Sequence, residues 1–390
     1  MTSVHVGLPA TCCSLISRGK CNVVDARTGR AGISLMASTG EGTFMGKRRT
    51  FGPMGRACAF AWVALSFSAH VAADAARPAP LITDEIYTKP VRLVDIGQGQ
   101  RLNLYCQGSG SPTVILDAGM SDSMVSWALV QPSLAKITRV CSFDRAGLGF
   151  SDPARRTSTP VNQSEDLHAL LRAAKVMPPY VMVGHSMAGM NVRVFADKYP
   201  ADVVGMVVVE GSHEDQSVRG WAIGEEGAQA KWDAWLKETH ACIAEAQKGL
   251  IEGSPMYATC LGTSDTRISD AINQARTRRE VLPAYQAAAA SERENVFYES
   301  ARETRATRKD FGSMPIIVLT HSPFPKRDDE TQVERNQRTL LWEDMHTQVA
   351  SMSTRGINII VPHSGHYIQF DKPQVVIDAI EQAVGIARRK

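Results

Sequence analysis

The stretch VGHSMAGM, residues 183–190, decides how this chain of 390 residues is interpreted. It nearly spells G-x-S-x-G, the pattern in which a serine sits on a sharp turn between a strand and a helix, with its hydroxyl exposed above the sheet. Gly184 and Ser186 fit the pattern, but Ala188 takes the place of the second glycine and Gly189 follows one residue later. Because Ala188 adds only one methyl group, we expect the turn to tolerate it. Ser186 is therefore the candidate nucleophile.

The regions around this stretch have an α/β pattern. Short apolar runs rich in β-branched residues alternate with helical stretches from about Leu81 onward. A strand pattern directly precedes Ser186 and a helical pattern follows it, as the turn requires. The predicted strands are 91–96, 101–106, 113–117, 139–144, 180–184, 203–210, 315–320 and 357–362, and the predicted helices are 164–175, 190–199 and 373–389.

The pattern changes between Glu210 and Met314, where helical segments continue without a clear buried strand. Open α/β sheets bind ligands at the carboxyl ends of their strands, so a helical insertion at this point predicts a lid over the site. The alternative is a helical layer that only packs. We expect an α/β core over 81–210 and 313–390, and a helical cap over 211–312.

A serine hydroxyl needs an adjacent base to act as a nucleophile. His366 is the best candidate, because it follows the last predicted strand and so lies at the same edge of the sheet as Ser186. His363 and His346 are weaker alternatives. His185 adjoins the serine but points elsewhere from such a turn, and it is interpreted as a packing or hydrogen-bonding residue.

The base in turn needs a carboxylate that fixes its tautomer and stabilises the imidazolium. Glu210 ends the strand 203–210 among apolar residues, where an unpaired charge is costly, so a histidine partner explains its presence. Asp328 or Asp329, in the loop after the strand 315–320, is the alternative acid. Glu210 is favoured because Asp328 lies further from its strand.

An oxyanion hole completes the predicted set. The backbone N–H of Met187, directly after the nucleophile, is one expected donor. The second is expected from the loop DAGMSDS (117–123), where Gly119 permits close backbone approach and the Met120 N–H is the chosen donor. The alternative is that this loop is merely a strand-to-helix turn.

Residues 45–75 have the pattern of a secretory signal peptide. Basic residues precede an apolar run, Ala57–Ala69, and small residues follow it near Ala73 and Ala75. The run is shorter than the about 20 residues that a membrane-spanning helix needs. A buried core helix, or an uncleaved membrane tether, is the alternative. We expect export to the periplasm or the medium, no stable membrane insertion after cleavage, and a disordered or spurious extension over residues 1–44.

Charge and cysteine usage limit the partners. The net charge is +3, and no basic stripe with interleaved aromatic residues predicts nucleic-acid binding.

Four cysteines follow the predicted cleavage site, namely Cys106, Cys141, Cys242 and Cys260. An even number in an oxidising compartment permits two disulfides, although four free buried thiols are an alternative. No C-x-x-C pair favours a metal site.

Taken together, these features resemble the α/β-hydrolase fold family, from about Val91 to Ile386. GHSMAG resembles the family's GHSxGG turn, and SGHYIQFDKP (364–373) is similar to its C-terminal histidine loop. FDRAGLGFSD (143–152) resembles the segment D-x-x-G-x-G-x-S that follows the fourth strand. Three departures are Ala188, Ala118, which stands where many members have the histidine of a His-Gly pair, and the acid, which does not stand at the common position after strand seven.

The resemblance implies a mostly parallel eight-stranded sheet with helices on both faces and a helical cap after strand six. It also implies an acid after strand six or seven, which matches the two options above. Strands two and four are antiparallel neighbours in the family, which would bring Cys106 close to Cys141. Cys242 and Cys260 enclose a helical turn in the cap, so a second disulfide there would close the cap's own hairpin.

The sequence thus predicts a serine hydrolase that cleaves a carboxylic ester of a small, largely apolar substrate through an acyl-enzyme intermediate. Amides and lactones are alternatives, because the same groups attack them, and peroxidase-like or C–C bond-cleaving activity stays open. Family members that open epoxides or displace halide use a carboxylate nucleophile, and Ser186 argues against both. A non-catalytic binder of small ligands is the alternative from another class. No metal or organic cofactor is implied.

Overall fold

The structure, a computed structural model, describes residues 78–222, 227–262 and 264–389. The predicted extension (1–44) and signal peptide (45–75) lie outside these residues. Within them, eight strands form one sheet: β1 (Leu93–Asp95), β2 (Arg101–Gln107), β3 (Thr113–Asp117), β4 (Val140–Phe143), β5 (Tyr180–His185), β6 (Val203–Val209), β7 (Ile316–His321) and β8 (Gly356–Val361). The eight predicted strands are confirmed, with ends that differ by one or two residues.

The strand order is β1-β2-β4-β3-β5-β6-β7-β8. β2 pairs antiparallel with both of its neighbours, and the strands from β4 to β8 are parallel. This mostly parallel sheet confirms the predicted fold class. Parallel strands all end at one edge, so the loops that follow β3, β5, β6, β7 and β8 meet there.

The central strands are buried on both faces, because helices cover each side. All residues of β3, β5 and β7 are buried. Successive residues point to opposite faces, so Ile115 and Met182 belong to one apolar cluster while Val114 and Val181 belong to the other. This explains why these strands are continuous apolar runs rather than alternating ones.

The described helices connect and cover the strands. The α-helices are α1 (Gln131–Leu134), α2 (Pro160–Ala173), α3 (Ala188–Lys198), α4 (Gln216–Ala222), α5 (Ala228–Lys248), α6 (Tyr257–Leu261), α7 (Asp270–Glu280), α8 (Pro283–Asn295), α9 (Glu299–Arg305), α10 (Gln332–Ala350), α11 (Ile368–Asp371) and α12 (Pro373–Arg388), with short 3-10 helices at Glu85–Thr88 and Met124–Trp127. Among the described helices, none is both long enough and apolar enough to cross a membrane.

Helices α4 to α9 all lie between β6 and β7, and we call residues 211–312 the cap. The described cap residues form helices and one isolated bridge, between Ile268 and Ile82. Side chains of α8 contact the loop that follows β3: the Tyr285 hydroxyl donates a hydrogen bond of 2.8 Å to the carbonyl of Ser121. The cap therefore touches the edge of the sheet at which the parallel strands end.

Both predicted disulfides are formed. Cys106 on β2 lies directly opposite Cys141 on the antiparallel strand β4, and the two are bonded. Cys242 on α5 is bonded to Cys260 on α6 within the cap. Disulfides are typical of oxidising compartments.

Candidate active site

Ser186 sits on a sharp turn between β5 and α3. Its φ of 53° is in the left-handed region, which non-glycine residues rarely adopt and which is common at functional sites. Two backbone hydrogen bonds hold this conformation: the Ser186 N–H donates to the carbonyl of Val209 (3.1 Å), and the Ser212 N–H donates to the carbonyl of Ser186 (2.8 Å). The turn therefore rests on the end of the neighbouring strand β6.

The glycine that the turn requires is Gly189, one position beyond the G-x-S-x-G pattern. A Cβ at Gly189 would lie 2.8 Å from the Cα of Gly211, which is too close for any side chain. Gly184 is equally constrained, because a Cβ there would lie 2.3 Å from the carbonyl oxygen of Ala188. The methyl group of Ala188 itself is fully buried. The predicted tolerance for Ala188 agrees with this packing.

His366 lies in the loop after β8 and reaches Ser186. Its Nε2 is 2.9 Å from the Ser186 Oγ, a hydrogen-bond distance. Part of His366 is exposed, but desolvation by the groups packed around the ring lowers its pKa, and the negative charge of Glu210 partly opposes this shift. The imidazole is thus neutral near pH 7, and a neutral imidazole can accept the proton of the serine hydroxyl.

His185 holds the backbone of the histidine loop. Its Nε2 donates to the carbonyl oxygen of His366 at 2.9 Å. Burial lowers the pKa of His185 to about 3, so this ring stays neutral at physiological pH. The predicted hydrogen-bonding role of His185 agrees with this contact, which fixes the backbone that carries His366.

Glu210 lies at the predicted edge of the sheet, but its hydrogen bonds go to other partners than His366. The carboxylate is 1% exposed and accepts from the His321 N–H (2.7 Å), from the His321 Nδ1 (2.5 Å) and from the Trp342 Nε1 (2.6 Å). Within the described residues, neither a hydrogen bond nor an ion pair joins Glu210 to His366 in this structure.

The other sequence-predicted candidates lie away from Ser186 or have other contacts. Asp328 and Asp329 are exposed in the loop after β7, and His363 is exposed as well. His346 is fully buried, and its Nε2 donates to the carbonyl of Gly211 at 2.8 Å. The structure therefore brings together Ser186 and His366 and leaves these four residues outside the pair.

The loop after β3 lies against the nucleophile. A Cβ at Gly119 would come within 2.8 Å of the His185 Nδ1 and 3.3 Å of the Ser186 Cβ, so only glycine fits this approach. Met120 follows Gly119, and Met187 directly precedes the first residue of α3. Both predicted oxyanion donors therefore belong to backbone segments that adjoin Ser186.

An apolar cluster adjoins these two backbone segments. Met187 and Met190, from the start of α3, pack with Val296 of the cap and with Met120, Trp232 and Phe297. The cap contributes half of this cluster. The methionine and aromatic side chains of the cluster form an apolar surface near the turn that carries the serine.

Sequence reasoning missed four residues around the site: His321, Trp342, Arg145 and Glu292. His321 ends β7 and bonds Glu210, and its place at a strand end was a signal that could have identified it. Arg145 belongs to the quoted segment 143–152 and forms ion pairs with Asp117 and Glu292. Trp342 and Glu292 lie in helices with no local signal for their roles.

Comparisons with known proteins agree with this fold. A family profile described as the alpha/beta hydrolase fold matches residues 112–373, and the chain belongs to that family. The chain is 24% identical over 274 residues to YqjL, an uncharacterized protein of Bacillus subtilis, and the match covers 70% of this chain and 84% of YqjL. It is 32% identical over 132 residues to an AB hydrolase superfamily protein of Gibberella zeae, covering 31% of this chain and 40% of that protein.

Solved structures also share the architecture. The epoxide hydrolase CorEH matches with a TM-score of 0.51 and 18% identity, over 74% of this chain and 96% of that one. Est816, described as an N-acyl homoserine lactone degrading enzyme, matches with a TM-score of 0.50 and 16% identity, over 75% and 99% of the respective chains. At these identities the likeness shows the fold alone.

Proposed function

We propose that this protein is a serine hydrolase that cleaves a carboxylic ester of a small, largely apolar substrate through an acyl-enzyme intermediate. The observation that carries the proposal is the 2.9 Å contact between the His366 Nε2 and the Ser186 Oγ, on a strand-to-helix turn with left-handed φ. A serine paired in this way with a neutral imidazole is the arrangement that activates a hydroxyl for acyl transfer.

The reaction follows from this pair. The Ser186 Oγ attacks the substrate carbonyl carbon while its proton passes to the His366 Nε2, which gives a tetrahedral oxyanion. The bond to the leaving alcohol then breaks, and the imidazolium returns the proton to the alcohol oxygen. Water enters, gives a proton to His366 and attacks the acyl carbon. The bond between the acyl carbon and the Ser186 Oγ then breaks, and the imidazolium returns the proton to that oxygen, which releases the acid and regenerates Ser186.

Charge stabilisation comes from two directions in this proposal. The N–H groups of Met187 and Met120 receive the oxyanion, since both adjoin the nucleophile. Glu210 is the proposed acid that stabilises the imidazolium, because its negative charge raises the pKa of His366 against the effect of desolvation. Since the carboxylate bonds His321, we propose that it acts on His366 through its charge rather than through a direct hydrogen bond.

The apolar cluster around Met187 supports an apolar acyl or alcohol group. Met120 and Met187, whose N–H groups are the proposed oxyanion donors, pack in one cluster with Met190 and Trp232, and these side chains offer little to a charged substrate. Epoxide hydrolases of this fold use a carboxylate as nucleophile, whereas this chain presents a serine at the turn. The serine therefore favours acyl transfer.

Export is part of the proposal. The two disulfides and the signal-like residues 45–75 support delivery to an oxidising compartment, with cleavage near Ala73 or Ala75. Sequencing the mature N-terminus of the expressed full chain tests this, and a mature chain that still contains the apolar run Ala57–Ala69 contradicts it.

The function is tested with p-nitrophenyl esters of increasing acyl length and with labelling by a fluorophosphonate probe. Wild type should turn over short to medium esters, and Ser186→Ala should lose activity by about 10⁴-fold or more together with labelling. Ser212→Ala, in the loop after β6, is the matched control: alanine keeps the backbone N–H that binds the Ser186 carbonyl, so this variant should keep both. A wild-type rate that survives Ser186→Ala refutes the mechanism. A folded wild type that is inert on esters, amides and lactones favours the non-catalytic binder.

A further inference from the structure

A buried arginine organises the loop that follows β3. Arg145 is the second residue after β4, and its side chain is 3% exposed. Its Nη1 donates to the Asp117 Oδ1 (2.7 Å) and to the carbonyl of Ala118 (2.6 Å), and its Nη2 donates to the carbonyl of Gly119 (2.6 Å). One side chain therefore holds three consecutive residues of the loop.

The cap supplies the second half of this arrangement. Glu292 of α8 is 1% exposed, and its carboxylate accepts from the Arg145 Nε at 2.6 Å. The same carboxylate accepts from the backbone N–H of Ser121 at 2.6 Å and from the Gln163 Nε2 at 2.9 Å. Glu292 thus binds both the arginine and the far end of the loop that Arg145 holds.

The charges of this cluster depend on one another. Burial raises the pKa of Asp117, and Arg145 opposes that shift. Burial also disfavours the charge of Arg145, but Glu292 and Asp117 outweigh it and raise the pKa of the guanidinium. Buried ion pairs are a weak source of stability, because desolvation offsets most of their attraction. Such a cluster is therefore better explained by the geometry that it imposes.

The contact of Arg145 with the Gly119 carbonyl fixes the orientation of the peptide unit between Gly119 and Met120. In a trans peptide unit, the carbonyl of one residue and the N–H of the next point to opposite sides. Because Arg145 binds the carbonyl of Gly119, the Met120 N–H points away from Arg145. Gly119 itself lies against the Ser186 Cβ. Turning this one peptide would remove the donor from the nucleophile's side.

We propose that Arg145 and Glu292 are positioning residues that orient the Met120 N–H as an oxyanion donor, so that helix α8 of the cap completes the oxyanion hole. The inference rests on the proposed function, because it concerns the same oxyanion. It predicts that weakening the contact between the cap and Arg145 lowers transition-state stabilisation and leaves ground-state substrate binding unchanged.

The test compares Glu292→Gln with wild type and with Glu214→Gln. Glu214 forms a similar buried pair with Arg193, with bonds of 2.6 and 2.9 Å and side chains 4% and 1% exposed, but it does not touch the loop after β3. Both variants remove one charge from a buried arginine–glutamate pair, and Glu214→Gln also weakens the 2.6 Å contact with the Lys309 Nζ, so the control carries a comparable loss of buried ionic contacts. Measured quantities are kcat, KM, thermal stability, and the Ki of a trifluoromethyl ketone, which forms a tetrahedral oxyanion on Ser186.

Glu292→Gln should lower kcat by about 10- to 100-fold with KM nearly unchanged, and should weaken the ketone in proportion, because a misplaced donor costs transition-state binding. Glu214→Gln should change thermal stability to a similar extent without either kinetic effect. Equal kinetics for the two variants, or a loss in KM alone, overturns the inference. A wild type without ester turnover or ketone binding instead shows that the proposed function has failed.

Tyr285→Phe provides the test if Glu292→Gln does not fold. It removes only the hydrogen bond from the cap to the Ser121 carbonyl, at the same loop. A drop in kcat and in ketone affinity with unchanged KM supports the cap's role. Kinetics identical to wild type contradict it.

Discussion

Replacing Glu210 by glutamine removes the negative charge of the side chain and keeps its size. The carboxylate receives three donors, the N–H and Nδ1 of His321 and the Nε1 of Trp342. Glutamine has one oxygen, and its amide nitrogen is itself a donor, so one of the three loses its acceptor. A buried unsatisfied donor costs about 1–3 kcal/mol, and we expect the free energy of unfolding to fall by that amount.

The effect of Glu210→Gln on catalysis is measured by a different quantity, the pH dependence of kcat/KM. The Glu210 charge raises the pKa of His366, so its removal should lower that pKa further. The base works in its neutral form, and the acid limb of kcat/KM should therefore move to lower pH in Glu210→Gln. The imidazolium formed in the transition state loses its stabilising charge as well, so kcat should fall by about 10- to 10²-fold, less than for an acid that bonds the imidazole directly.

The assay is the pH dependence of kcat and kcat/KM on one p-nitrophenyl ester, together with urea unfolding at pH 7, for wild type, Glu210→Gln and Asp328→Asn. Asp328 is exposed, so its replacement should change stability by less than about 0.5 kcal/mol and leave the acid limb in place. The reasoning is refuted if Glu210→Gln loses stability while kcat and the acid limb stay as in wild type. An effect of Asp328→Asn on both instead assigns the acid to the β7 loop.

Two further substitutions test the residues that hold Ser186 and His366 in place. The pKa of His185 is about 3 in the folded protein and 6.5 in an unfolded chain, so on acidification the unfolded state binds the proton first. The free energy of unfolding should therefore fall between pH 6.5 and pH 3. The total loss is about 4–5 kcal/mol, at about 1.4 kcal/mol per pH unit. Urea titrations should show a smaller loss over this window for His185→Asn, and equal slopes would contradict the assignment. Gly189→Ala places a methyl 2.8 Å from the Gly211 Cα, which should cost about 1–3 kcal/mol and reduce kcat, whereas Ala188→Gly should leave kcat unchanged. A Gly189→Ala protein as stable and active as wild type shows that the turn does not need this approach.

The pairing of Ser186 with His366 could be predicted because topology alone brings the two together. Each follows a strand of one parallel sheet, and parallel strands end at the same edge. Their separation of 180 residues along the chain does not matter once both strands are recognised. Buried strands are easy to recognise, since they are continuous apolar runs.

The partner of Glu210 could not be predicted in the same way. Its position at the end of β6 follows from the strand, but its contacts come from His321, 111 residues away, and Trp342, 132 residues away on α10. Which of several histidines at one edge reaches a carboxylate depends on side-chain directions that no periodicity encodes. The burial of Arg145 could not be predicted either, because its partner Glu292 lies on a cap helix 147 residues away.

The disulfides also bear on how the protein moves. Cys106–Cys141 joins two strands of the sheet, and Cys242–Cys260 joins two helices of the cap, so among the described residues no disulfide crosses from cap to sheet. Oxidation therefore stiffens each part separately. Relative motion is left to hydrogen bonds and ion pairs such as Glu292–Arg145, which break and re-form without any change of redox state. In the fully oxidised protein, the described cap is therefore held against the sheet by the chain itself and by non-covalent contacts.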